Sequence, residues 1–164
     1  MIKKIMVPLT FSKYSRGILD CAVEIAEPLG AVLEVVNVIS DRDLEAINKI
    51  TEFGYKVDSD KYLATVKKER REQITAMAAH LTMPDDKVNF TFMIGDPTEE
   101  LLRFVVEQEV DLVVMGIKTR DIKHMFAGSV AERIFRRCPV PVLSFRGDDI
   151  AKRLRKRVQK HIDH

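Results

Sequence analysis

Five short apolar runs, rich in valine and isoleucine, alternate with segments whose apolar residues recur at helical spacing. The runs span residues 2–9, 31–39, 88–94, 110–115 and 140–145. Strands with so few polar positions are buried on both faces, and strands joined by helices run parallel through right-handed crossovers. The pattern therefore predicts an α/β fold with an open, doubly wound, five-stranded parallel sheet sandwiched by helices.

Polar residues mark where three of the helices begin. A side-chain oxygen at such a position accepts a hydrogen bond from a free backbone N–H of the first helical turn. The expected caps are Ser12 or Ser15, then Asp96, then Ser129. Glu99 and Glu132 follow the last two caps by three residues, which predicts a capping box at each helix. Residues 60–81 are predicted as a further helix ended by Pro84, and the polar stretch 40–60 as a short helix or loop.

The last strand is predicted to lie at an edge of the sheet. Pro139 and Pro141 have no N–H to donate to a neighbouring strand, and such residues are confined to edge positions. An exposed edge has to be covered or paired. Pairing of residues 140–145 with the same strand of a second copy across a two-fold axis predicts a homodimer.

Composition and charge exclude several classes of protein. The net charge is +2, with 27 basic and 25 acidic side chains, so nucleic acid is not an expected partner of the chain as a whole. No apolar run approaches the roughly 18 residues of a membrane span, and the first residues lack the core of a signal peptide. Cys21 and Cys138 have no metal-ligand spacing around them, which fits a reducing compartment. We therefore expect a cytoplasmic protein without an integral membrane segment.

The end of the chain differs from the rest in charge. Residues 146–164 hold seven lysine or arginine side chains against three aspartates. Their apolar residues Ile150, Leu154, Val158 and Ile162 are spaced four apart. We predict a basic C-terminal helical extension over residues 147–164 that docks on the body or on a second copy, or stays solvated. Contact with an anionic membrane surface or nucleic acid is the weaker alternative, because a stripe one residue wide is narrow for insertion.

The carboxyl ends of the strands are where an open parallel sheet binds its ligands. Residues predicted at this edge are Pro8, Leu9, Thr10, Val38, Met115 and Gly116. The loop 116–129 adds Lys118, Arg120, Lys123 and His124 against one acid, Asp121. Gly128 allows close backbone approach, and the helix that follows offers free N–H groups to an anion, so a phosphate suits the loop. The alternative is that Ser129 and Glu132 only cap the helix and bind no ligand.

Four segments, in order along the chain, resemble the universal stress protein family. Residues 128–143, GSVAERIFRRCPVPVL, look like the family's signature end, and residues 5–15, IMVPLTFSKYS, resemble its first strand and turn. GDP at 95–97 and DLVVMG at 111–116 match in kind and order. The resemblance implies a universal stress protein domain over residues 1–146, an adenine nucleotide alpha hydrolase-like fold, and a dimer through the last strand.

Many members of that family bind ATP through a Gly-x2-Gly-x9-Gly-Ser/Thr loop. Gly116, Gly128 and Ser129 match the ends of this loop. Thr119 stands in place of the second glycine, and the spacing from Thr119 to Gly128 is one residue short. Thr10 stands where ATP-binding members usually carry an aspartate, which removes a ribose or metal contact.

The resemblance also assigns parts of a nucleotide to the edge residues. Pro8 and Val38 are expected to flank the adenine, and Leu9 and Thr10 are expected in the same nucleotide site. Met115 and Gly116 are expected on the ribose side. The phosphates, with which Mg²⁺ can enter, would be held by N–H and hydroxyl groups of Gly128, Ser129 and Val130. Charge-assisted hydrogen bonds from Lys118 or Arg120 would add to these contacts.

These observations predict a stress-response regulator that binds ATP or AMP without rapid turnover and acts on a regulatory protein partner. The alternative is a dimeric interaction protein that binds no nucleotide and works through its surface and basic tail. Slow ATP hydrolysis is the most catalysis that the sequence suggests. No Ser-His-Asp, paired-carboxylate or metal-ligand arrangement stands out, and His124 has no positioned partner for acid-base work.

Overall fold

The computed structural model describes residues 1–41, 59–117 and 129–162. The strands are β1 (Lys4–Pro8), β2 (Val32–Ser40), β3 (Val88–Gly95), β4 (Leu112–Gly116) and β5 (Val142–Phe145). The helices are α1 (Ser15–Leu29), α2 (Ser59–Ala78), α3 (Pro97–Glu107), α4 (Val130–Arg137) and α5 (Asp148–Ile162). Each strand coincides with one of the five apolar runs of the sequence.

The five strands form one parallel sheet in the order β3-β2-β1-β4-β5. In β1, Val7 pairs with Val35 of β2, and Ile5 pairs with Leu112 of β4, so β1 is the central strand. The chain therefore extends the sheet first on the β2 side and then on the β4 side. The predicted doubly wound parallel sheet is confirmed, and β5 lies at an edge, as predicted from the two prolines that precede it.

Helices cover both faces of the sheet. Because consecutive strand residues point to opposite sides, a strand contributes side chains to a buried cluster on each face. Ile5 and Val7 belong to a buried cluster with residues of α1, while Met6 belongs to a second cluster with residues of α3 and α4. Met77 of α2 packs against the first cluster. Burial on both sides explains why the strands contain so few polar residues.

Two of the three predicted helix caps are confirmed. The Asp96 carboxylate accepts hydrogen bonds from the backbone N–H groups of Thr98 at 2.9 Å and Glu99 at 3.1 Å. The Ser129 hydroxyl accepts from the N–H of Glu132 at 3.2 Å. Both caps fix where a helix starts at the edge of the sheet that carries the strand ends.

The prediction that Ser12 or Ser15 caps α1 is wrong. Tyr14 occupies the capping position and contributes no side-chain hydrogen bond to the helix. The Ser15 hydroxyl instead accepts from the N–H of Ser12 at 2.9 Å, and the Ser12 hydroxyl accepts from the N–H of Tyr14 at 3.3 Å. The two serines therefore stabilise the turn that precedes α1, because a short hydroxyl side chain can bond to nearby backbone on either side.

The long helix α2 ends earlier than predicted. It spans Ser59–Ala78, and tighter turns follow in which Leu81 donates its N–H to the carbonyl of Ala78 at 2.9 Å. Pro84 precedes a separate 3-10 turn at Asp85–Lys87. The helix or loop predicted over residues 40–60 lies largely outside the described residues.

Burial in α5 is confined to the start of the helix. Ile150 is buried and Leu154 is half-buried, whereas Val158 and Ile162 are 56% and 69% exposed. The apolar stripe predicted from the sequence therefore packs against the body only over its first half. In the described part of the chain, no helix combines the length and the apolar character needed to cross a bilayer.

Candidate functional site

A cavity of about 240 Å³ lies at the carboxyl ends of the central strands. It sits over β1 and β4, from which the sheet extends in opposite directions. Such a reversal of strand order is where open parallel sheets bind their ligands. The described residues that line it are Pro8, Leu9, Thr10, Ser12, Tyr14, Ile18, Val36, Val38, Pro97, Leu101, Met115, Gly116, Ile117, Ser129, Val130, Ala131, Phe145, Gly147 and Ile150.

The structure brings together most of the edge residues that the sequence singled out. The predicted residues that line the cavity are Pro8, Leu9, Thr10, Val38, Met115, Gly116, Ser129 and Val130. Lys118, Arg120 and Gly128 lie outside the described residues, as do Thr119 and the other residues of 118–128. The described lining is thus built from β1, β2, β4 and α4, with further residues from α1, α3, β5 and the start of α5.

The end of β1 is fixed by buried hydrogen bonds to β2. The Leu9 N–H donates to the carbonyl of Val36 at 2.8 Å, and Asn37 Nδ2 donates to the carbonyl of Leu9 at 2.7 Å. Asn37 is 3% exposed, and its Oδ1 accepts from Arg70 Nη1 of α2 at 2.6 Å. Both the amino group and the oxygen of this buried amide are therefore hydrogen-bonded. These bonds orient the side chain and fix the backbone of Leu9, which lines the cavity.

The residue after Thr10 has an unusual backbone. Phe11 has φ of 51°, in the left-handed region that residues with a β-carbon rarely adopt. Its ring lies under the guanidinium of Arg70, 5.9 Å from ring centroid to Cζ, within the range of a cation–π contact. Thr10 and Ser12, on either side of Phe11, both line the cavity, so this strained turn presents two hydroxyl-bearing residues to one site.

The start of α4 supplies free backbone N–H groups. Ser129 caps the helix through the N–H of Glu132, and the N–H groups of Val130 and Ala131 have no acceptor within the helix. Ser129, Val130 and Ala131 all line the cavity. A helix N-terminus in this position attracts an anionic group such as a phosphate.

Sequence reasoning missed the residues on the α1, β5 and α5 side of the cavity. Tyr14, Phe145 and Ile150 line the site there, and none of them is among the strand-end residues that the sequence singled out. The Tyr14 hydroxyl donates to Asp149 Oδ2 at 2.8 Å, and Lys13 Nζ donates to the same oxygen at 2.9 Å. These two hydrogen bonds lower the pKa of Asp149 to about 2.

The described lining is electrically neutral and mostly apolar. Its polar side chains are the hydroxyls of Thr10, Ser12, Tyr14 and Ser129, and none of its described members is Lys, Arg, His, Asp or Glu. Over residues 1–41, 59–117 and 129–162, no group of three His, Cys, Asp or Glu side chains is placed to hold a metal ion. The lining therefore suits an apolar ring system with hydroxyl groups attached, next to a phosphate at α4.

The two cysteines lie away from this lining. Cys21 and Cys138 are both free thiols and both half-buried. Burial, with a smaller effect from the nearby Glu24 charge, raises the pKa of Cys21, which disfavours its reactive thiolate form. Cys138 packs against the cluster of α3 and α4, as a small apolar side chain does.

Comparison with known proteins agrees with this architecture. A family model described as the universal stress protein family matches residues 1–146. The universal stress protein MJ0531 of Methanocaldococcus jannaschii is 24% identical over 144 residues, which is 87% of this chain and 81% of that protein. The solved structure of hypothetical protein MJ0577 superposes with a TM-score of 0.71 at 24% identity, covering 90% of this chain and 99% of that one.

Two further structural neighbours were solved with adenine nucleotides. A universal stress protein in complex with cAMP has a TM-score of 0.62 at 20% identity, covering 88% of this chain and 96% of that one. The universal stress protein from Archaeoglobus fulgidus in complex with dAMP has a TM-score of 0.58 at 17% identity, covering 89% and 98%. These likenesses establish the fold, and the match to the family model spans nearly the whole length. The chain belongs to the universal stress protein family.

Proposed function

We propose that this protein is a cytoplasmic stress-response regulator that binds an adenine nucleotide, ATP or AMP, in the cavity over β1 and β4. The observation that carries the proposal is the meeting of an apolar, hydroxyl-bearing cavity with the N-terminus of α4 at the reversal of strand order. Neighbours of the same fold solved with cAMP and dAMP support the same ligand class.

In this proposal each part of the nucleotide has a place in the cavity. Pro8 and Val38 offer apolar surface for the adenine, with Met115 on the ribose side. The ribose hydroxyls meet the neutral hydroxyl of Thr10, which can both donate and accept, where a carboxylate would only accept. The phosphate nearest the ribose lies at Ser129 and Val130, where free N–H groups point outward from α4.

The proposed signal is occupancy of the site rather than turnover. The described lining consists of apolar groups and hydroxyls, which bind and orient a nucleotide. It offers no carboxylate and so does not fit a Mg²⁺ ion held by the protein, and Mg²⁺ would enter with the phosphates of ATP. A regulatory partner would then distinguish the occupied from the empty protein.

The proposal includes a homodimer through β5. This strand lies at the edge of the sheet, and its outer side has no neighbouring strand among the described residues. An antiparallel pairing of two β5 strands across a two-fold axis would cover both edges at once. Light scattering on the purified protein measures the resulting doubling of mass.

Titration calorimetry on nucleotide-stripped protein tests the ligand. We expect saturable binding of AMP and ATP. Val38→Phe places a ring in the cavity and is expected to weaken AMP binding by about tenfold or more. Val106→Phe is the matched control, because Val106 is 66% exposed on α3 and lies outside the cavity.

Two results would contradict the proposal. One is a folded wild type that binds no adenine nucleotide at millimolar concentration, and the other is equal binding by the Val38 and Val106 variants. Either result would favour the interaction protein that works without a nucleotide. The exposed apolar side chains of Val158 and Ile162 on the basic helix α5 are the observation that supports that second function.

A further inference from the structure

One wall of the cavity comes from residues beyond the family match. The family model ends at residue 146, yet Gly147 and Ile150 line the cavity. Ile150 is 4% exposed and is the buried side chain of α5, a helix that the structure describes throughout. The first turn of α5 is therefore part of the site itself and not only an appendage next to it.

Three polar side chains fasten this turn to the loop before α1. The Tyr14 hydroxyl and Lys13 Nζ both donate to Asp149 Oδ2, at 2.8 and 2.9 Å, and we call Lys13, Tyr14 and Asp149 the latch. A Cβ added to Gly147 would lie 2.5 Å from the Tyr14 ring, so the backbone packs directly on that ring. Tyr14 also lines the cavity, and the latch therefore joins two neighbouring parts of its wall.

Apolar burial in α5 is concentrated at the cavity. Beyond the half-buried Leu154, the helix is exposed through Val158 to Ile162. The Lys13–Asp149 ion pair is itself exposed, and such pairs hold weakly. Apolar contact around Ile150 therefore carries a large share of the attachment, and a ligand that touches Ile150 adds to it.

We propose that Ile150 is a nucleotide-binding residue and that docking of α5 and nucleotide binding stabilise each other. Because such coupling is reciprocal, a nucleotide that contacts Ile150 must hold α5 more firmly, and loss of the α5 wall must weaken the nucleotide to the same extent. The inference rests on the proposed function and extends it. It gives the occupied site a way to alter a basic helix on the surface.

Titration calorimetry with AMP on matched variants tests whether Ile150 contributes to nucleotide binding. Ile150→Ala is expected to weaken AMP binding by about tenfold or more, because it removes buried apolar contact with the ligand. Ile162→Ala makes the same change at an exposed position of the same helix and is expected to stay within about twofold of wild type. Ile150→Val keeps most of the wall and is expected to restore most of the affinity.

The contribution of the latch is tested by substitutions at the neighbouring exposed residues Asp148 and Asp149, which are not expected to prevent folding. Asp149→Ala removes the acceptor of Lys13 and Tyr14 and is expected to weaken AMP binding by about two- to fivefold. Asp148→Ala removes the same charge one residue earlier, outside the latch, and is expected to leave the affinity unchanged.

Thermal denaturation separates binding from folding. If Ile150 had only a structural role, Ile150→Ala would lower the melting temperature and leave the AMP affinity intact.

Amide hydrogen exchange supplies the reciprocal measurement. AMP is expected to slow exchange over residues 148–154 in the wild type and in Ile162→Ala, but not in Ile150→Ala. If the wild type binds AMP while the Ile150 and Asp149 variants bind it equally well, the inference is overturned and the proposed function stands. If the wild type binds no adenine nucleotide, both are overturned together.

Discussion

Replacing Asn37 by alanine should destabilise the protein by more than its small change in size suggests. The side chain is 3% exposed, donates to the Leu9 carbonyl at 2.7 Å and accepts from Arg70 at 2.6 Å. A buried carbonyl left without that donor costs about 1–3 kcal/mol. The lost bond to half-exposed Arg70 adds less, because the guanidinium regains water, so we expect a total of about 2–3 kcal/mol. That corresponds to a fall in melting temperature of about 4–12 °C for a chain of this size.

Thermal and urea denaturation of three variants checks this reasoning. Arg70→Met leaves Asn37 Oδ1 without its donor but keeps the bond between Asn37 and Leu9, so it should cost about 1–2 kcal/mol, less than Asn37→Ala. Asn37→Asp keeps the acceptor for Arg70 but sets an oxygen against the Leu9 carbonyl, so it should be less stable than the wild type. If Asn37→Asp matches the wild type, or Arg70→Met costs as much as Asn37→Ala, the buried bond to Leu9 is not the main contribution.

Two further predictions concern the ends of helices. Asp96→Ala removes the acceptor of two backbone N–H groups at the start of α3 and should cost about 1 kcal/mol, measured as a lower urea midpoint; Asp96→Asn, which keeps an acceptor oxygen, should recover most of the loss. The second concerns Asp149, whose pKa is lowered from 3.8 to about 2 by hydrogen bonds from Lys13 and then Tyr14. A lowered pKa means that its stabilising effect is present above pH 3.8 and is lost as the pH falls through about 2. An NMR titration of the carboxyl group measures this directly, and a midpoint at 3.8 would show that the latch does not form in solution.

The sheet was predictable because each strand carries its own signal, the pattern of apolar and β-branched residues along a single run. A run such as 31–39 has β-branched residues on both faces, which only a strand covered on both sides accommodates. The edge position of β5 followed from Pro139 and Pro141, which cannot donate to a neighbour. Asp96 and Ser129 were identified as caps because each stands directly before a run with helical spacing.

The residues that sequence reasoning missed depend on how distant segments meet. Ser12 and Ser15 both have the chemistry of a cap, but spacing does not show which backbone N–H each hydroxyl reaches. Asn37 gave a signal, as a lone amide in a buried apolar run, although its partner Arg70 comes from a separate helix. Tyr14 precedes α1 and Ile150 belongs to the apolar stripe of the predicted C-terminal helix, and only the contact of α5 with the start of α1 brings them into one wall.

The two sides of the cavity are held by different kinds of contact, and this difference has a consequence for regulation. On the β2 side, Asn37 and Leu9 are joined by a hydrogen bond shielded from water, which is costly to break. On the α5 side, Asp149 is bound by exposed groups that water can replace at little cost. A structural change on ligand binding is therefore expected to cost least free energy at α5, where contact with a nucleotide would add to the exposed contacts of Asp149. A nucleotide that filled the cavity would leave the β1–β2 wall as it is and would alter the hold on the basic helix.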